Sequence, residues 1–165
     1  MSTGITLEEL LAWNDQASVY WKANFDTHPA LLQLPCDIGG AAKVQEFVRH
    51  IWGAELRWAQ RLAAEPETPR EKIPAGPLDA LFDLHSQAMA IYRRLLAAPE
   101  NTWSDPYFLD FDWVPPEDRT ASRRKVAAHA LFHSQRHWAQ LATLVRSAGF
   151  PSKFRGDLLF SPALR

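Results

Sequence analysis

Apolar residues recur at three- and four-residue steps through four stretches of the chain, and turn-forming residues separate them. In the first stretch Leu7, Leu10, Leu11, Ala17 and Trp21 keep helical spacing to about Phe25, and Thr6 with Glu9 matches a capping box. His28-Pro29 and Leu34-Pro35 break the pattern, and Gly39-Gly40 ends the linker. Val44, Phe47, Ile51, Ala54, Trp58 and Leu62 form the second stripe, closed by Pro66 and Pro69. A third follows Gly76-Pro77 through Leu78, Leu81, Phe82, Ala88, Met89, Tyr92 and Leu95 to Pro99. The fourth stops at Gly149, with Pro151 just beyond. The pattern predicts helices over residues 6–26, 41–64, 77–98 and 120–148, with a tail over 150–165.

From Asn101 to Pro116 the pattern changes. Aromatic and acidic residues alternate in Tyr107-Phe108-Leu109-Asp110-Phe111-Asp112-Trp113, which predicts an extended or hairpin-like excursion. Four long helices with one Gly/Pro-rich and one aromatic crossover predict an all-α, four-helix bundle, and residues 1–165 have the length of one domain.

Composition narrows the function classes. Eighteen Lys and Arg against 19 Asp and Glu leave a net charge of -1, without the basic surplus of a nucleic-acid domain. One cysteine, Cys36, excludes an internal disulfide framework and a multi-Cys zinc site. Neither a signal peptide nor a spanning helix is expected, so the reading is a cytoplasmic protein without membrane contact. Seven tryptophans and six histidines remain to be explained.

The stripe of the fourth helix runs Val126, Ala130, His133, His137, Leu141 and Leu144, so two imidazoles stand where apolar side chains are expected. Positions four apart share a helix face, and such a pair suits a divalent ion that accepts neutral nitrogens at about 2.0–2.1 Å. The spacing is a weak signal alone, because histidines also satisfy buried networks or lie on wet faces. A third ligand is available from His50, beside the second stripe, or His85, within the third; spacing does not choose between them. The HExxH and Glu-x-x-His patterns are missing, as is a glycine-rich phosphate loop.

The segment His50-Ile51-Trp52-Gly53-Ala54-Glu55-Leu56-Arg57-Trp58 resembles the second-helix motif of the DinB-like family, and His129 to Arg146 followed by Gly149 resembles its final-helix motif. The closing Gly156-Asp157-Leu158-Leu159-Phe160 is similar to its tail. The resemblance implies a four-helix bundle with a three-histidine metal site at His50, His133 and His137, and so favours His50 over His85. The family's usual ending is His-His-Arg-Gly-Gln, where this chain has Arg136-His137-Trp138-Ala139-Gln140; His137 and Gln140 match it, while Trp138 and Ala139 depart. Three imidazoles suit zinc, nickel or iron, and nothing in the sequence ranks the three.

Members of this superfamily with assigned chemistry resemble thiol S-transferases and a thiol-dependent isomerase. The implied activity is metal-assisted attack of a small thiol on an electrophile, with metal-assisted hydrolysis using the same ligands. The alternative is a metal-binding or stress-associated bundle without turnover. Asn14, Glu46, His85, His129 and Gln140 are the candidates for supporting the ligands or facing substrate. Trp13, Trp21, Trp52, Trp58 and Trp138 read as core or interface, whereas Trp103, Tyr107 and Trp113 are placed to line a pocket mouth. Arg123-Arg124-Lys125 reads as a solvated face, and the aromatic content leads to the expectation of a homodimer.

Overall fold

In a computed structural model, which describes residues 4–98, 102–112, 114–150 and 152–163, the chain is an all-α four-helix bundle: α1 (Leu7–Thr27), α2 (Val44–Leu62), α3 (Leu78–Ala97) and α4 (Arg123–Ser147). Trp113 and the expected stops at Pro99 and Pro151 lie outside the described residues, as do Met1–Thr3 and Asn101. α1 packs against α3 and α4, and α2 packs against the same two. Helices adjacent in sequence, α1 and α2, therefore occupy opposite corners, which is why long crossovers are needed. Side chains join that diagonal through the core: Trp52 Nε1 donates to Ser18 Oγ at 3.1 Å, and Asn14 Nδ2 to Glu55 Oε1 at 2.8 Å.

Thr6 caps α1 through the capping box its sequence announces, its hydroxyl accepting from the Glu9 N–H while Glu9 accepts from the Thr6 N–H. α2 starts at Val44 rather than residue 41. The preceding residues are extended and pair back on the linker, with Cys36 N–H donating to the Ala42 carbonyl and Val44 N–H to the Leu34 carbonyl. α4 likewise starts at Arg123 rather than residue 120. Thr120–Ser122 form a strand, β2, antiparallel to β1 (Pro106–Phe108), and Ser122 caps the helix by accepting from the Lys125 N–H. The predicted hairpin is present, but its second strand was hidden in the expected first turn of the helix.

The core is aromatic. Trp21, Trp52 and Trp138 are fully buried; Trp21 and Trp138 stack with centroids 5.9 Å apart, and Trp52 meets Trp138 edge-on at 5.6 Å. Trp58 is buried as well, while half-buried Trp13 donates Nε1–H to the Gly156 carbonyl at 3.1 Å and so holds the tail. The basic run at the start of α4 is not simply a solvated face. Arg123 donates to the Leu62 carbonyl at the end of α2, and Arg124 to the Ile5 carbonyl. Among the described residues no helix is long and apolar enough to cross a membrane.

Candidate metal centre

α2 and α4 lie side by side, and their facing turns bring together His50, His133 and His137. One ligand atom from each lies within 4.8 Å of the others. His133 and His137, one turn apart, present Nε2 to Nε2 at 3.1 Å with ring centroids 4.3 Å apart. His50 completes the group from α2, its ring centroid 5.3 Å from that of His133 and 5.2 Å from that of His137. Burial is graded across the cluster: His137 is buried, His133 half-buried and His50 exposed, so the group is anchored in the bundle and open on one side.

Two side chains orient the rings. Gln140 Oε1 lies 2.6 Å from His137 Nδ1, so Nδ1 carries the proton and donates, and Nε2 is left with its lone pair toward His133. Buried Phe47, one turn before His50, stacks parallel to the His50 ring and meets the His137 ring edge-on at 5.0 Å. Phe47 belongs to the α2 stripe in the sequence and carries no mark of this second role.

Electrostatics keep these imidazoles neutral. Burial, with the neighbouring His137, His50, Arg136 and His129 side chains, pushes His133 down to about 3. Burial also lowers His137, against an opposing pull from Gln140, and Arg136 adds to the lowering with its guanidinium Nη2 3.5 Å from His137 Nε2. His50 is lowered by loss of water around its ring, then by His137, Arg70 and Arg136. Neutral nitrogens are the form that coordinates a cation.

The donor set fits a divalent transition ion. In a tetrahedral site with bonds of about 2.0–2.1 Å, donors stand about 3.3 Å apart. The His133–His137 pair is already near that spacing at 3.1 Å. Among the described residues the His50 ring makes no hydrogen bond, and it sits at the exposed rim, where its side chain can close the remaining distance. A proton on His133 Nε2 would satisfy the pair on α4, but a cation satisfies all three rings at once.

Of the candidate supporting residues, Gln140 touches a member of the triad directly. His129 lies one turn before His133 with centroids 6.3 Å apart, its ring lowered by burial and by Arg136. Glu46 instead accepts from the Ala42 N–H at 2.8 Å, just before the start of α2, although it shares with His50 a concavity of about 160 Å³ reached also by Arg57 and Arg70. Asn14 and His85 are placed elsewhere. His85 is buried between two carboxylates, Nδ1 at 2.7 Å from Glu55 Oε2 and Nε2 at 2.9 Å from Asp15 Oδ1. Asn14 bridges Glu55 and Gln135, and Arg93 closes the chain on Asp15 at 2.6 Å. This polar tie draws on all four helices and leaves His85 no ring nitrogen for a metal.

Glu55 and Asp15, its acidic members, were not singled out by the sequence reading. The signal for Glu55 was available, since it stands in the apolar stripe of α2 four residues after Ile51 and three before Trp58. Trp103 and Tyr107 are half-buried but do not line the cavity beneath the crossover, whose wall there is Leu109, Val114 and Pro115. A cavity of about 820 Å³ lies between α1 and the end of α3 beside Asp15 and Arg93, with none of the three histidines in its wall. No protein-family model matches the chain, and no curated protein matches it.

Proposed function

We propose that the chain is a DinB-like metal-binding enzyme of the thiol S-transferase type, with a divalent zinc, nickel or iron ion held by His50, His133 and His137. The observation that carries this reading is the convergence of three imidazoles from two helices, one with its tautomer set by Gln140. When bound, the ion supplies Lewis acidity that favours the thiolate form of a small thiol, or ionised water, at its open position. The chain's own contribution is orientation and charge. Phe47 fixes the planes of His50 and His137, Gln140 retains the Nδ1 proton, and the exposed side at His50 leaves a path for substrate. Arg70 and Arg136 add positive potential on that side, which favours an anionic nucleophile.

The test is purification without chelator followed by elemental analysis, then thiol consumption with an electrophile such as monochlorobimane. About one ion per chain, lost in His133→Ala, with metal-dependent thiol consumption is the expected result. Metal without consumption across several thiols identifies a binding protein, and no metal at all sinks the reading. A cytoplasmic site of action and a homodimer belong to the same proposal. Val19, Phe132 and Phe160 are among the large apolar side chains left exposed, and light scattering decides the second point.

A further inference from the structure

Beneath the β1–β2 crossover lies a cavity of about 360 Å³ that the proposed chemistry leaves without a task. Its wall is mainly apolar, built from Trp58 of α2, Leu109 and Val114 of the crossover, and Val126 of α4, with Asp118 and Lys125 also bordering it. The volume falls in the range of small-molecule sites, roughly 300–1,000 Å³, and an apolar lining with a few polar groups is their usual make-up.

His129 connects this cavity to the triad. It lines the cavity, meets the Trp58 ring edge-on with centroids 5.7 Å apart, and lies 6.3 Å from His133 on the same helix row. Among the described residues its ring makes no hydrogen bond. The ring that borders the cavity and the candidate ligand His133 are thus four residues apart on α4, a rise of about 6 Å. A ligand with a short linker between a ring and a reactive group spans that distance. A small hydrophilic thiol would leave the apolar wall in contact with water, at a cost proportional to its area.

Resting on the metal-site reading above, we propose that this cavity holds the aromatic or similarly apolar end of the small molecule that reacts at the triad. The substrate class is therefore an amphipathic one, with a hydrocarbon ring under the crossover and a polar reactive end toward His133.

The probe is benzyl alcohol, titrated into metal-free protein and followed by NMR at the Trp58 indole and the Val114 and Val126 methyls. Saturable shifts centred on that wall are expected, and Ala121→Phe, which fills the cavity from β2, abolishes them. Circular dichroism checks that the variant is folded; Val126→Phe is the second filling variant should it not be. In metal-loaded protein, benzyl mercaptan binds at least roughly tenfold more tightly than 2-mercaptoethanol, and the filling variant removes that advantage without releasing metal. Shifts spread over the surface or absent from this wall overturn the proposal, as does equal affinity for the two thiols. Wall shifts in a protein that retains no metal overturn the link to the triad and the metal reading, while leaving an apolar ligand site.

Discussion

Glu55 and His85 form an ion pair in the middle of the bundle, Oε2 to Nδ1 at 2.7 Å, with both side chains about 1% exposed. Burial alone would lower the imidazole, but the Glu55 and Asp15 carboxylates outweigh it and raise His85 to about 9. The sign of the linkage follows. A group raised from an unfolded value of about 6.5 stabilises the fold fully below that pH and loses its contribution as pH rises through about 9. Urea unfolding should therefore show stability declining between about pH 6.5 and 9, by at most about 1.4 kcal/mol per pH unit. Asp15, held below its usual range by hydrogen bonding to His85 and the charges of His85 and Arg93, contributes an acid limb lost as pH falls below about 3.8. A curve flat from pH 6.5 to 9 would show that His85 is not charged in the folded state.

His85→Ala leaves the Glu55 carboxylate buried without its cation, and removing one member of a buried pair costs about 3–5 kcal/mol. Glu55→Gln together with His85→Gln restores neutral hydrogen-bonding groups and should recover a large part of that loss. Equal destabilisation of the single and double variants, measured by chemical denaturation, would argue against the pair as the cause.

Gln140→Ala removes the acceptor that keeps the His137 proton on Nδ1. Outer partners of this kind change metal affinity by about 10- to 100-fold. Chelator competition should show a loss of that size in the variant, with unfolding of the metal-free protein changed by under about 0.5 kcal/mol because Gln140 is exposed.

Added zinc should raise the unfolding free energy of the wild type by about 2.7 kcal/mol at a free concentration 100 times its dissociation constant. His50→Ala, at the exposed rim, should abolish most of that rise while leaving the metal-free baseline nearly unchanged. A rise that survives in both His50→Ala and His133→Ala would place the stabilising ion elsewhere.

Trp138→Ala is expected to cost about 3–5 kcal/mol, since its ring is fully buried against Trp21 and Trp52 beside the triad residue His137. Calorimetry or urea titration checks this. A cost below about 1 kcal/mol would mean that the core collapses readily around the gap.

The apolar periodicity of residues such as Val44, Phe47, Ile51 and Trp58 makes the helices and their buried faces legible along the chain, because burial on a helix repeats with its turn. The adjacency of His133 and His137 is legible for the same reason, since both lie on one helix one turn apart. Spacing alone left His50 and His85 equivalent. The difference between them is set by which neighbouring helix each one faces, and the bundle's diagonal arrangement decides that. His85 turns toward carboxylates brought by α1 and α2, whereas His50 turns toward α4. The start of α4 was likewise decided by a long-range partner, because β1 holds Thr120–Ser122 in an extended state that local propensity does not specify. The chain by itself determined which surfaces are buried and which side chains share a turn; the tertiary structure determined which imidazoles meet, because that depends on the relative rotation and packing of helices far apart in sequence.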